Sequence, residues 1–561
     1  MFKRSISVIY AACMVTAATA QAETVTVTQL TNNTIQDTNF WLNGVGDVAW
    51  TAYEVGDSEV YYYDADTQAV IAVTNNTIED SNAVLNGSGD LIWLQSGPNP
   101  DPAVPSGTLY KIMHRRAADG VISEIASSDS GFWYPQINDN GDIVWLGYEP
   151  LAASADIFLY KAATGTTTNI TANVAGGGNF PKLNERGDVV FIGDDGSYGI
   201  DIFMYTASTD AVTNISSPGV TGESAWYLAI NNSGDAVWSS NDGIESHIFR
   251  YDGATGTTQQ LTVDNGAYDS LQWLSGNGDV AWNSNNNIML YNASTQTVTQ
   301  LTTDSLYRSN PVIDNVGNIV WQGLDPNGTD TDMFFYDRAT GTITNVSNND
   351  IDDYYFWSNS HGDFSWSSGY GAAAEIMFYS NATKAVTQIT NDSTEDNYMV
   401  LNDQLDIAWV KFDGDYEIML GKVQTTVPLD FTYSRATQDV NDGEIKIVIN
   451  SEISLPAGTD QITVSLDGVT VLDVPFSDFI ADDDPGEYKY RSALVAAELD
   501  INKGRFEIKV DGTLANTIDT SDGVYLEIGI GNAAGAGQIQ ITPINDGDDN
   551  HDGYHHQYNQ H

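Results

Sequence analysis

The sequence predicts an all-β chain: a β-propeller of about nine, alternatively eight, four-stranded blades closed by an N-terminal strand, followed by an immunoglobulin-like β-sandwich. Three observations predict it. A nine-residue motif, INDNGDIVW at 137–145, occurs in nine versions at intervals of 39 to 52 residues, the range of repeat architectures. Each interval holds four short strand-like segments parted by turn chemistry. The chain also opens with a copy of the fourth segment before any first, second or third one.

In order the copies read LNGVGDVAW (42–50), LNGSGDLIW (85–93), INDNGDIVW, LNERGDVVF (183–191), INNSGDAVW (230–238), LSGNGDVAW (274–282), IDNVGNIVW (313–321), SNSHGDFSW (358–366) and LNDQLDIAW (401–409). In the third unit, Phe132 to Ile137 reads as a first strand and Asn138 to Gly141 as a turn, with Gly141 supplying a positive φ. Asp142 to Trp145 starts a second strand, DIFLY (156–160) is a third, and TTTNIT (166–171) is a fourth. Segments such as Ile143-Val144-Trp145 are apolar at successive positions, which suits a strand covered on both faces by neighbouring blades. The repeated Trp could stack on a sugar, but its presence in nearly every unit favours packing between blades. The Asp after each Gly could bind a metal, although acceptance of hydrogen bonds from turn amides is the commoner use.

Val27 to Asn32 reads VTQLTN, matching VTQITN at 386–391. This early strand can complete the last blade, whose own sequence drifts away after EIML (417–420). Counting this way gives nine blades; eight with an irregular unit remains open because LNDQLDIAW lacks the glycine.

The pattern P-x-I-N-x-N-G-D-I-V-W, then D-I-F-L-Y and T-G-T-x-x-x-I-T, resembles the TolB-type propeller repeats of secreted bacterial proteins, themselves similar to the propellers of prolyl-oligopeptidase-type peptidases. The resemblance spans roughly residues 24 to 424 and implies a ring-shaped binding scaffold. This chain carries N-x-x-G-D where that family has S-P-D-G-(K/R), which marks a divergent branch and keeps TolB's own partnership from being carried over.

Residues 1–22 read as a signal peptide: Lys3 and Arg4, an apolar run, then Ala20-Gln21-Ala22. A lipid-acceptor role for Cys13 is the weaker alternative. The expected address is therefore the periplasm or exterior of a bacterium, without membrane insertion. Cys13 is the single cysteine, so a mature chain has no disulfide and no thiolate site. With 76 acidic against 21 basic residues the formal net charge is −55, which argues against nucleic acid and other polyanions and makes Ca²⁺ the cofactor to consider.

The assignment of domains is then 1–22 leader, 23–427 propeller, 428–543 β-sandwich and 544–561 an Asp/His-rich tail without fixed structure. In the tail, Asp548, Asn550 and Asp552 match the front of a calcium loop but lack its closing Glu, and His555 and His556 are alternative metal ligands. Irregular rim loops suggest binding residues: Asp101 in the insertion at 96–107, and Asp352, Asp353, Tyr354, Tyr355 and Tyr370.

Three functions fit the sequence. The first is a non-catalytic scaffold whose propeller face holds a protein, peptide or glycan. The second is a polysaccharide-active lyase or glycosidase; against it, His114, His247 and His361 fall in different units and no G-x-S-x-G elbow is present. The third is a calcium-bridged extracellular structural component.

Overall fold

The computed structural model describes residues 24–424 apart from 54–55, 102–106, 150–153, 195, 197–199, 217–225, 242–244, 264–265, 305 and 326–329. Beyond these it describes strands between Val427 and Ile544 with their shorter links; the leader and the tail fall outside. Two compact units emerge, Thr24–Gln424 and the part from Thr425 onward. No described helix is long and apolar enough to cross a membrane.

The first unit contains nine four-stranded antiparallel sheets. Eight run in simple sequence order, as in Gln36–Leu42, Val48–Tyr53, Ser58–Asp64 and Ala69–Ala72. The ninth takes Glu395–Leu401, Asp406–Phe412 and Tyr416–Gln424, and its fourth strand is the N-terminal segment Thr24–Gln29. That strand lies antiparallel to the third, from Thr24 opposite Gln424 to Gln29 opposite Met419. Just after it, the Thr31 hydroxyl donates to the Glu417 carboxylate and accepts the Ile418 amide, and Asn33 N–H donates to Glu417 Oε1 at 2.9 Å. The blade count is nine, and the strand predicted to close the ring does so.

The motif turns form a second closure. Asn43 Nδ2 donates to the carbonyl of Asn86, Asn86 to Asn138, Asn138 to Asn184, Asn184 to Asn231, and Asn231 to Ser275. Gly276 and Asn277 then bond to Asn315, whose amide donates to Ser360 O, and Asn359 Nδ2 reaches Asn402 O. Asn402 Nδ2 returns to Asn43 O at 3.0 Å, across 359 residues of chain. A circle of turn-to-turn hydrogen bonds therefore runs through all nine blades. In eight turns, from Gly46 to Gly362, a glycine takes the positive φ, between 79° and 94°. In the ninth, Leu405 adopts φ 64° instead and buries its side chain beside Ile407 and Trp409. Burial of a leucine thus offsets a conformation that costs an L-residue about 1–2 kcal/mol.

Second and third strands supply the core. The motif tryptophans Trp50, Trp93, Trp145, Trp238, Trp282, Trp321, Trp366 and Trp409 are all among the largest fully buried side chains. Several stack on the aromatic residue opposite in the third strand, as Trp50 on Tyr61 at 5.7 Å and Trp321 on Phe334 at 5.9 Å. They pack between blades, as their repetition suggested. The Asp after each turn glycine accepts a backbone amide from the turn between third and fourth strands: Asp47 from Ala65, Asp142 from Ala162, Asp188 from Ala207. Asn318 does the same for Arg338.

One local expectation is corrected. The prolines of the insertion at 96–107 argue against a central strand there, yet the second strand of that blade continues to Pro98, paired with Thr108. Proline is tolerated there because it ends the ladder.

The second unit has two sheets, one of five strands and one of seven. Ile462, Val464 and Leu472 of the first share a core with Ile445, Leu499, Phe506 and Ile508 of the second, making a sandwich. Strands Gln461–Leu466 and Val469–Pro475 pair antiparallel, with Leu466 opposite Val469. Two short pairings are parallel, Val427–Pro428 with Ala533–Ala534 and Ala436–Asp439 with Ile541–Ile544. Among the described residues, the strands of this unit run from Val427 to Ile544.

Candidate functional site

The site is built from the nine first strands: Gln36–Leu42, Glu79–Leu85, Trp133–Ile137, Gly178–Leu183, Trp226–Ile230, Asp269–Leu274, Arg308–Ile313, Asp353–Ser358 and Glu395–Leu401. These strands contact one another at most blade junctions, including the first blade's with the ninth's, and so face the axis of the ring.

Every one of them is bulged, with a register slip against its second strand. At each bulge one non-glycine residue takes a positive φ between 42° and 60°: Asn39, Asn82, Tyr134, Phe180, Tyr227, Leu271, Asn310, Tyr355 and Tyr398. All nine lie seven residues ahead of the turn position, as Asn39 does before Gly46 and Tyr398 before Leu405. Asparagine accepts this conformation readily, whereas a bulky aromatic side chain adopts it at a cost. Repetition of the same outlier around a ring marks it as a built feature, since bulges re-aim side chains.

The re-aimed side chains are open to solvent. Tyr134, Phe180, Tyr227, Tyr355 and Tyr398, with Trp41, Trp273 and Trp357 two places further along their strands, are between 41% and 58% exposed. Rings from adjacent blades touch: Tyr134 with Phe180 and Tyr355 with Tyr398, both at 5.2 Å and 44°. A cavity of about 460 Å³ is lined by Tyr227, Leu271, Trp273, Asn310, Gln322 and Tyr355, among others. It crosses four consecutive blades along the axial wall. A second, of about 330 Å³, lies where the eighth, ninth and first blades meet, between Trp41 and Trp357.

Of the residues suggested by sequence, the structure brings Tyr354 and Tyr355 into the wall of the larger cavity. Asp353 is a correction: it is fully buried, and its Oδ1 accepts the indole N–H of Trp366 at 2.9 Å. It stands thirteen residues before that Trp, as Asp37, Asp80, Asp269 and Asp396 stand before Trp50, Trp93, Trp282 and Trp409. Asp353 belongs to the blade core, and no rim ligand can reach it. Asp352 accepts the Thr331 hydroxyl at 2.7 Å and amide at 2.8 Å, and that hydroxyl holds its carboxyl below the usual range. Tyr370 is 86% exposed beside a short turn at Gly371–Ala373 and does not line the cavity. Asp101 is exposed in the second blade, its amide bonded to Asn99 Oδ1, apart from these groups. Asp548, Asn550, Asp552, His555 and His556 lie outside the described residues.

Among the described residues, Asp413, Asp415 and Glu417 come close enough to share a cation. Both Glu417 oxygens, however, are already engaged by Thr31 and Asn33, so the buried member of this group serves ring closure.

The geometry defines a closed nine-bladed propeller with an axis walled by aromatic and amide side chains. No protein-family model and no curated protein matches the sequence. Among solved structures, the chain is similar to Porphyromonas gingivalis dipeptidyl peptidase 4 at 10% identity and a TM-score of 0.47, over 71% of this chain and 66% of the peptidase. It is similar also to the β-propeller domain of the Trilobed protease from Pyrococcus furiosus, at 10% identity and TM-score 0.34, over 56% and 96%. A third is TolB from Acinetobacter baumannii, at 14% identity and TM-score 0.25, over 62% and 79%.

Proposed function

We propose that this chain is an exported, non-catalytic binding protein of a divergent TolB-type propeller branch, whose axial wall holds a protein, peptide or glycan. One observation carries the reading: nine equivalent bulges turn side chains toward the axis, and eight of the nine residues are exposed, five of them aromatic. Exposed aromatic clusters that are rigidly held are characteristic of ligand surfaces. The nine bulge residues and the nine two places further on include no carboxylate and no histidine, the groups that acid–base cleavage of a glycan or peptide would place at the scissile bond. That supports binding over catalysis.

Blades one, two and seven indicate the variant to use, since asparagine already occupies the bulge there as Asn39, Asn82 and Asn310. The triple variant Tyr134→Asn, Phe180→Asn, Tyr227→Asn is expected to melt no lower than the parent, because asparagine tolerates positive φ at less cost. On glycan and peptide arrays it is expected to lose the ligands that the parent retains, with none of them cleaved by mass spectrometry. Undiminished capture by the triple variant would move the site away from the axis; a cleaved product would replace this reading with the enzyme one.

A further inference from the structure

Resting on that reading, we infer that the ligand is an uncharged oligosaccharide strand lying along the axial wall. The chain carries 76 carboxylate side chains, yet the two axial tiers hold only one charged residue, Lys182. The bulge tier runs Asn39, Asn82, Tyr134, Phe180, Tyr227, Leu271, Asn310, Tyr355, Tyr398 around the ring. The next tier runs Trp41, Val84, Gln136, Lys182, Ala229, Trp273, Val312, Trp357, Val400.

A basic peptide drawn in by the net charge would find no carboxylate on these tiers to pair with. An acidic polymer would be repelled by the molecule as a whole. A neutral sugar ring needs a flat apolar surface for its C–H face and amides for its hydroxyls. The cavity of about 460 Å³ offers both: Tyr227, Trp273 and Tyr355 as surfaces, Asn310 between the last two as an amide. Its volume falls within the ordinary range for ligand sites, roughly 300–1,000 Å³.

The arrangement is fixed before any ligand arrives. Positive φ values of 60° at Tyr227 and 42° at Tyr355 set the backbone, and Tyr355 leans on Tyr398 at 5.2 Å. Little side-chain freedom is then lost on binding, which favours a ligand that offers only stacking and hydroxyl contacts. Aromatic bulges occupy blades three to five and eight to nine, with Asn310 on one side and Asn39 and Asn82 on the other. A polymer of identical units suits a wall of equivalent positions.

Isothermal titration of the full chain with neutral oligosaccharides of glucan, xylan and N-acetylglucosamine type tests this, beside an oligogalacturonate and a lysine-rich peptide. At least one neutral sugar is expected to bind with a Kd that is unchanged from low to high salt. Trp273→Ala and Tyr227→Asn are each expected to weaken it about tenfold, while Tyr370→Ala, off the cavity, leaves it unchanged. Binding of the peptide or the uronate but of no neutral sugar, lost in Tyr227→Asn, would overturn the sugar assignment and leave the axial site standing. If neither variant affects binding, or no probe binds, both the assignment and the axial reading fall.

Discussion

A chain lacking residues 24–31 is expected to lose the ninth blade's outer strand and with it the closed ring. The deletion strips the ladder from Thr24–Gln424 to Gln29–Met419 and takes away Thr31, whose hydroxyl bridges Glu417 and the Ile418 amide. Glu417, only 2% exposed in the intact protein, would be left without its hydroxyl donor. Losing the hydrogen-bond donor of a buried carboxylate costs roughly 1.5–3 kcal/mol before the exposed strand edge is considered. The truncated protein should therefore melt well below the parent and self-associate on size exclusion. A synthetic peptide TVTVTQLTN added in trans is expected to restore part of the melting temperature by strand addition. Thr31→Val separates the hydroxyl from the strand and is expected to cost roughly 1.5–3 kcal/mol on its own. A truncated chain that melts with the parent would mean that the ring does not depend on this closure.

The closing strand was legible because VTQLTN is out of order in the repeat, and misplaced copies are visible whatever their structure. The blade count was less so. Leu405 stands where eight units have glycine or its equivalent turn, and only its burial explains why φ 64° is tolerated. The axial wall was harder still. Its defining position keeps a fixed offset from the turn but varies among Asn, Tyr, Phe and Leu, so it carries no residue-type signal. The geometry of the bulge is repeated, not the chemistry. Tyr354 and Tyr355, which the sequence suggests as rim-loop residues, do reach the cavity, but as members of a first strand. The same logic misassigned Asp353, whose partner Trp366 sits thirteen residues away on the next strand. That offset recurs in five blades and was present in the sequence, but an Asp and a Trp so far apart read as unrelated until pairing brings them together.

Those Asp–Trp pairs carry the second large effect, a gain of stability on mild acidification. Asp37, Asp353 and Asp396 are at most 1% exposed, and burial pushes each carboxyl up to about 6 against the hydrogen bond from its tryptophan. Asp80 and Asp269 shift upward for the same cause. Between pH 3.8 and about 6 the folded chain then binds protons that the unfolded chain has released. Stability must fall as pH rises through that window and recover as it is lowered. A shift of this size corresponds to roughly 3 kcal/mol per fully buried group at neutral pH. Asp392 works the other way: though partly desolvated, it is brought down to about 2 by Lys411 at 2.6 Å, so its contribution disappears only below pH 3.8. The apparent melting temperature should therefore rise by several degrees from about pH 7.5 to about pH 5 and decline again in stronger acid. Relief of repulsion among the surface carboxylates acts in the same direction, but salt screens that component and leaves the buried one. In high salt the rise should persist in the parent and flatten in the triple variant Asp37→Asn, Asp353→Asn, Asp396→Asn, which keeps an oxygen for each indole N–H without the charge. A variant that retained the full rise would assign the effect to the surface instead of the blade cores.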